Sequence, residues 1–171
     1  YVSGTNRLKQ LSDEATQSIG SDIDDTHSDI VGTHDYKYDK LGNLIKDTGA
    51  EIDEITWTLQ GKVKEIKRNS TSKKPDLEFK YDALGNRQTK IVKHRGNNSS
   101  NWNYQHYVRD ASGNVMAVYD QKFKEEEEES GGRMVSLSLS ERPIYGSDRI
   151  GVLNSVEELA NERVLSPYAN N

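Results

Sequence analysis

The chain has 171 residues and a net charge of −5, and Leu, Ile, Val and Phe make up only about a fifth of it, too little to fill a thick core. Nine tyrosines and two tryptophans offset part of that shortage, because each aromatic buries a large area. The length fits one domain, the lack of cysteine excludes disulfide and thiolate chemistry, and there is no apolar run of the roughly 18 residues needed for a membrane-spanning helix.

In chain order, residues 1–11 read as a strand end followed by a turn. Residues 12–33 are polar and Asp-rich and read as a long acidic loop. Within it, Asp22, Asp24, Asp25, His27 and Asp29 invite a calcium reading, but the EF-hand template fails. It needs Gly where His27 stands and Glu where Thr33 stands, so a solvated loop is expected and no metal or cofactor.

Tyr36-Lys37-Tyr38-Asp39-Lys40-Leu41-Gly42-Asn43-Leu44 then sets a pattern that recurs at Phe79–Arg87 and Tyr107–Val115, with a decayed copy at Ile55–Val63. Tyr36 and Tyr38, like Phe79 and Tyr81, stand at i and i+2 and so share one face of a strand. Tyr107 keeps the first aromatic place, Arg109 fills the second, and Trp57 does so in the decayed copy. Asp39, Asp82 and Asp110 start a turn, where a carboxylate accepts bonds from backbone N–H groups two or three residues on. Gly42, Gly61, Gly85 and Gly113 fall where a type I turn ends in a left-handed residue. Each copy therefore predicts one β-hairpin, and hairpins stacked in series bury faces that none could bury alone.

Hairpins are expected over 34–48, 50–67 and 77–93, and a strand over 102–108 with aromatics on both faces. Val115–Phe123 and Met134–Leu139 continue the pattern around a charged, mobile loop tip at 124–133. Ser155 and Glu158 have capping-box spacing and predict a short helix at 155–161. The expected fold is all-β: antiparallel hairpins in one twisted, curved sheet, with that helix as a minor element. Residues 1–153 form the hairpin region, and 154–171 the short helix and a loosely ordered tail.

The pattern Tyr-x-Tyr-Asp-x-x-Gly-Asn-Leu resembles the YD repeat of bacterial Rhs proteins, found also in the toxin-complex B and C components and in teneurins. Tyr145–Val152 is similar to the stretch that precedes the core region in Rhs-like proteins of the Bacteroidetes type, and Thr5–Leu8 looks like the tail of one more repeat. The resemblance implies a non-enzymatic piece of a hollow shell that encloses a C-terminal toxin. Its implied partners are the rest of its own polypeptide: further repeats, the core region and the toxin cargo. A secreted or cell-surface location goes with it. Tyr1 is not an initiating residue, and the chain is expected to be an internal stretch of a larger polypeptide.

Catalysis finds little to use. Two carboxylates at fixed separation can hydrolyse a glycoside, but Asp39, Asp82 and Asp110 each stand where a turn needs Asp. His27, His34, His94 and His106 lack zinc-site spacing, and nucleophile-elbow and phosphate-loop patterns are missing. The alternative is a glycan- or cell-surface-binding adhesion module, with Trp57, Trp102 and Tyr104 as stacking platforms. Residues 61–100 carry a net charge of +7, enough to attract a sulfated glycan or another anion, although solvent-facing strand positions such as Lys62, Lys64 and Lys90 account for it without a ligand. No nucleic acid partner is expected.

Overall fold

A computed structural model describes residues 1–9, 36–95, 102–125 and 133–164. The acidic loop expected at 12–33 and the last seven residues of the expected tail lie outside the described residues. Where length suggests one domain, the chain divides into two compact units, Tyr1–Asp76 and Leu77–Asn171.

In the first unit, β1 (Tyr36–Tyr38), β2 (Leu44–Asp47), β3 (Ile52–Trp57) and β4 (Val63–Arg68) lie side by side in chain order. Every recorded pairing is antiparallel. Ile55 stands opposite Ile66, and Ile52 and Ile55 are the buried apolar residues among those described in this unit. Cross-strand charges are matched on the solvated side, with Lys67 Nζ 2.8 Å from Glu54 and Lys46 Nζ 2.7 Å from Asp53.

In the second unit, β5 (Asp76–Tyr81, opening at the boundary), β6 (Arg87–Lys93), β7 (Asn103–Arg109), β8 (Val115–Glu125), β9 (Arg133–Tyr145) and β10 (Arg149–Val164) follow the same rule. Ile91, Val118 and Leu139 are buried, with Val118 only 2% exposed. Within each unit, no second layer of helix or sheet is present among the described residues. Most strand side chains are accordingly half-exposed, including those of β7 from Asn103 to Tyr107.

The fold is all-β, with no helix among the described residues. This corrects the helix expected at 155–161, which is part of β10. An isolated helix of about two turns is marginal in water, whereas β9 offers backbone partners along its whole length. Glu157 pairs with Leu139, Glu158 with Ser138 and Ala160 with Leu137. Register shifts between Asn154 and Glu157 and between Glu158 and Ala160 absorb the poor match. β10 also runs unbroken through 153 and 154, where the tail was expected to begin. Both ends of the loop tip expected at 124–133 are strand instead, Lys124 pairing with Met134 and Glu125 with Arg133; residues 126–132 lie outside the described residues.

Because each unit has so few buried side chains, truncating one should be felt. Ile91→Ala is expected to destabilise by about 2 kcal/mol, the low end for a core isoleucine, because half-exposed neighbours can close in. Val108→Ala, at a position 47% exposed, should change stability by less than about 0.5 kcal/mol. Urea unfolding of the two variants reads the difference.

Candidate functional site

The repeated turn is the best-defined chemical feature of the chain. In the first, the Asp39 N–H donates to Asn43 O at 2.9 Å and the Gly42 N–H to Asp39 O at 3.2 Å. The Asp39 carboxylate closes the loop from inside: Oδ1 accepts the Leu41 N–H at 2.9 Å and the Asn43 N–H at 2.8 Å. Oδ2 accepts the Asn43 side-chain amide at 2.8 Å. The same three bonds join Asp82 to Leu84 and Asn86, and Asp110 to Ser112 and Asn114. Gly42 has φ 95°, Gly85 81° and Gly113 88°, where a side chain would be strained. Register shifts fall just before the turn, between Lys37 and Tyr38 and between Val108 and Arg109.

The decayed copy keeps the geometry with other atoms. The Thr58 N–H donates to Lys62 O at 2.8 Å and the Gly61 N–H to Thr58 O at 3.0 Å. The Thr58 hydroxyl accepts the Lys62 N–H at 3.1 Å, replacing one carboxylate bond, and Gly61 has φ 71°.

The hydrogen bonds draw the turn carboxylates below the ordinary aspartate value. For Asp39 and Asp110 the leading cause is the side-chain amide of the following Asn43 or Asn114, and for Asp82 it is the backbone N–H of Asn86. A carboxylate saturated by its own turn and ionised at neutral pH is a poor proton donor and has little acceptor capacity left for a substrate.

A second element joins one hairpin to the next. Trp57 Nε1 donates to Leu44 O at 2.8 Å, Arg109 Nε to Arg87 O at 3.3 Å, and the Tyr145 hydroxyl to Val115 O at 2.9 Å. Trp57 and Arg109 each stand directly before the first residue of a turn, and Tyr145 ends β9 at its own turn. Leu44, Arg87 and Val115 each open the return strand of the preceding hairpin. An indole, a guanidinium and a phenol thus make one and the same link. Arg109 Nη1 also donates to Gly113 O at 2.6 Å, tying the link to its own turn. Neighbouring turns touch besides: a Cβ built on Gly113 would lie 3.5 Å from Asn86 Oδ1.

The remaining aromatics of the motif are half-exposed packing residues. The Arg7 guanidinium lies 5.8 Å from the Tyr38 ring centroid and that of Arg87 4.5 Å from Phe79. The Tyr107 hydroxyl donates to Gln105 Oε1 at 2.7 Å. Tyr36 and Tyr81 are half-exposed as well.

The three aromatics considered as ligand platforms are engaged with their own sheets. Trp57, in the first unit, spends its N–H on Leu44. In the second unit Trp102 faces Lys93 Nζ at 5.0 Å, and Tyr104 stacks on His106 at 6.2 Å and meets Phe123 edge-on at 6.1 Å. Tyr104 also borders a groove of about 160 Å³ with Lys90, Val92, Asn103, Gln105, Asp120 and Lys122. Part of the basic block is paired locally, with Lys93 2.7 Å from Glu78 and Lys74 3.8 Å from Glu51. Glu51, at φ 61°, accepts a hydrogen bond from the Ser72 hydroxyl, which holds its carboxyl below the ordinary range, with smaller help from Lys74 and Arg68. No group of three or more His, Asp and Glu side chains placed to hold a metal occurs among the described residues.

The sequence reading had the asparagine after Gly42, Gly85 and Gly113 in its pattern but gave it no role, and it overlooked the linking role of Arg109 and Tyr145. The repeated Gly-Asn at 42–43, 85–86 and 113–114 was a visible signal for the first. The shared position of Trp57 and Arg109 before their turns was one for the second.

No family model matches the chain, and no solved structure does. Over 87 residues, half of this chain, it is 38% identical to the salivary gland surface protein 1 of Aedes aegypti. The chain spans about 2% of that protein's length.

Two outcomes follow from this geometry. The turn aspartates have folded-state values below their unfolded value of about 3.9. The stability they confer is therefore fully present above that value and is lost as pH falls through the lower folded-state value. An acid titration followed by NMR of the aspartate side chains should show all three titrating below a free aspartate, and Asp110→Asn should flatten the acid limb of the stability curve. Separately, Trp57→Phe keeps an aromatic ring but removes the N–H along with part of the indole, and should destabilise by at least about 1 kcal/mol in urea unfolding.

Proposed function

We propose that this chain is wall material: a non-enzymatic segment of a bacterial Rhs-like YD-repeat shell that encapsulates a C-terminal toxin or effector. The observation that supports it is that the turn aspartates and the donors just before the turns are engaged in making and joining hairpins. Asp39, Asp82 and Asp110 bond their own turns, and Trp57, Arg109 and Tyr145 bond the hairpin before them. A sheet extended by such units encloses volume with little apolar material, which suits so lean a composition. Its partners are then the rest of its own polypeptide, at a secreted or cell-surface location.

A second reading, a glycan- or cell-surface-binding adhesion module, has the partial match to a mosquito surface protein in its favour. Half-exposed Tyr104 beside the small polar groove is the place such a ligand would meet.

Limited proteolysis of the polypeptide that carries this segment separates the readings. In a shell, the toxin region stays uncut until the wall is breached, and Gly85→Val with Gly113→Val should expose it. Equal digestion of the toxin region in the intact and substituted polypeptides would sink the shell. Retention on a heparin column at low salt, lost on replacing Lys90 and Lys122 with Ala, would favour adhesion.

A further inference from the structure

The connection between β4 and β5 carries a feature that neither the turns nor the links use. It begins Asn69-Ser70-Thr71, which satisfies the acceptor pattern for N-linked glycosylation, with no proline in the middle place. Ser70 and Thr71 are exposed and Asn69 is half-exposed. The connection lies at the end of the first unit's sheet opposite its Asp39 and Thr58 turns, so a large substituent there leaves the turn row clear.

The local geometry fits the chemistry. Asn69 Oδ1 accepts three hydrogen bonds: from the Thr71 N–H at 3.1 Å, the Thr71 hydroxyl at 2.9 Å and the Ser72 N–H at 2.8 Å. The Ser72 N–H also reaches Asn69 O at 3.2 Å, so the segment is a closed Asx turn. Donors gathered on Oδ1 stabilise the negative charge that grows there as the amide nitrogen loses a proton, and that loss is what makes an amide nitrogen nucleophilic. These three bonds fall on Oδ1, which is not the atom that bonds the sugar, so the Asx turn itself does not have to open.

We infer that Asn69 is an N-glycosylation site, with Thr71 as the hydroxyl that positions it. The donor is a polyprenyl-diphosphate-linked oligosaccharide, handled by a membrane oligosaccharyltransferase. Nδ2 forms the bond to C1 of the first sugar, the bond from C1 to the diphosphate oxygen breaks, the diphosphate leaves with the electron pair, and Nδ2 gives up one proton. The inference rests on the secreted or cell-surface location proposed above, reached through a membrane that carries such a transferase, which is the setting of the second reading and its mosquito match; it draws nothing from the bacterial shell.

The test expresses the whole chain behind a secretion leader in insect cells and maps peptides only from protein recovered from the medium. The expected result is a glycan on the peptide containing Asn69, removable by peptide-N-glycosidase with Asn69 then read as Asp. Thr71→Ala should abolish it and Thr71→Ser should retain it. Thr71→Ala keeps the Asn69 side chain, so loss of the glycan is separable from loss of the fold, which circular dichroism monitors. Secreted, folded chain with Asn69 unmodified would overturn the inference while leaving the location standing. A glycan retained in Thr71→Ala would overturn the role given to the Thr71 hydroxyl. Peptide mapping also separates Asn69 from the acceptor patterns at Asn97-Asn98-Ser99 and Asn98-Ser99-Ser100.

Discussion

Each described hairpin with an aspartate at its turn depends on that carboxylate folded back onto its own backbone. With Oδ1 on two N–H groups and Oδ2 on the following asparagine amide, the reversal is complete within five residues. A turn that closes itself needs no core to hold it, and among the described residues there is little: two buried apolar residues in the first unit and three in the second. What a core would supply comes from repetition. Three hairpins present a backbone carbonyl at the start of the return strand, at Leu44, Arg87 and Val115, and the next hairpin of the same unit covers it with whatever donor it carries. Charge pairs across strands, such as Lys93 with Glu78, add modestly because they stay partly solvated.

This division explains what could be read in advance. The turns were legible because every bond in them spans four residues or fewer, and Asp, Gly and the flanking aromatics each have a local reason to stand where they do. The links were not, because their acceptors are main-chain atoms 13, 22 and 30 residues upstream, and a carbonyl leaves no letter in the sequence. Arg109 looked like a departure from the motif, although a guanidinium reaches the Arg87 carbonyl as an indole reaches that of Leu44. β10 misled for a related reason. Ser155 and Glu158 carry a local helix signal, but the partner that decides the matter is β9.

The candidate site has a mixed record of the same kind. Trp57, Trp102 and Tyr104 were singled out as large aromatics that could stack on a ligand, but sequence alone could not say which of their faces neighbouring strands would occupy. Trp57 spends its polar atom on the sheet, whereas Tyr104 keeps an edge at a groove with lysine, amide and carboxylate neighbours. The basic block of residues 61–100 is less one-sided than it reads, because Glu54 and Glu51, from outside the block, stand beside Lys67 and Lys74.

Chain-order neighbours have a mechanical consequence. Within either unit, tension along the polypeptide meets the outermost strand first and peels it from a single neighbour. Backbone bonds then load one after another, as in a zipper, and are not sheared together as they are when the pulled strands lie side by side in the middle of a sheet. Resistance per hairpin is low, and extension proceeds in steps of one strand. Relaxation can retrace the same steps, because each self-closing turn re-forms without waiting for a distant part of the chain. Such a sheet yields to pulling gradually and recovers by rewinding from whichever hairpin is still intact.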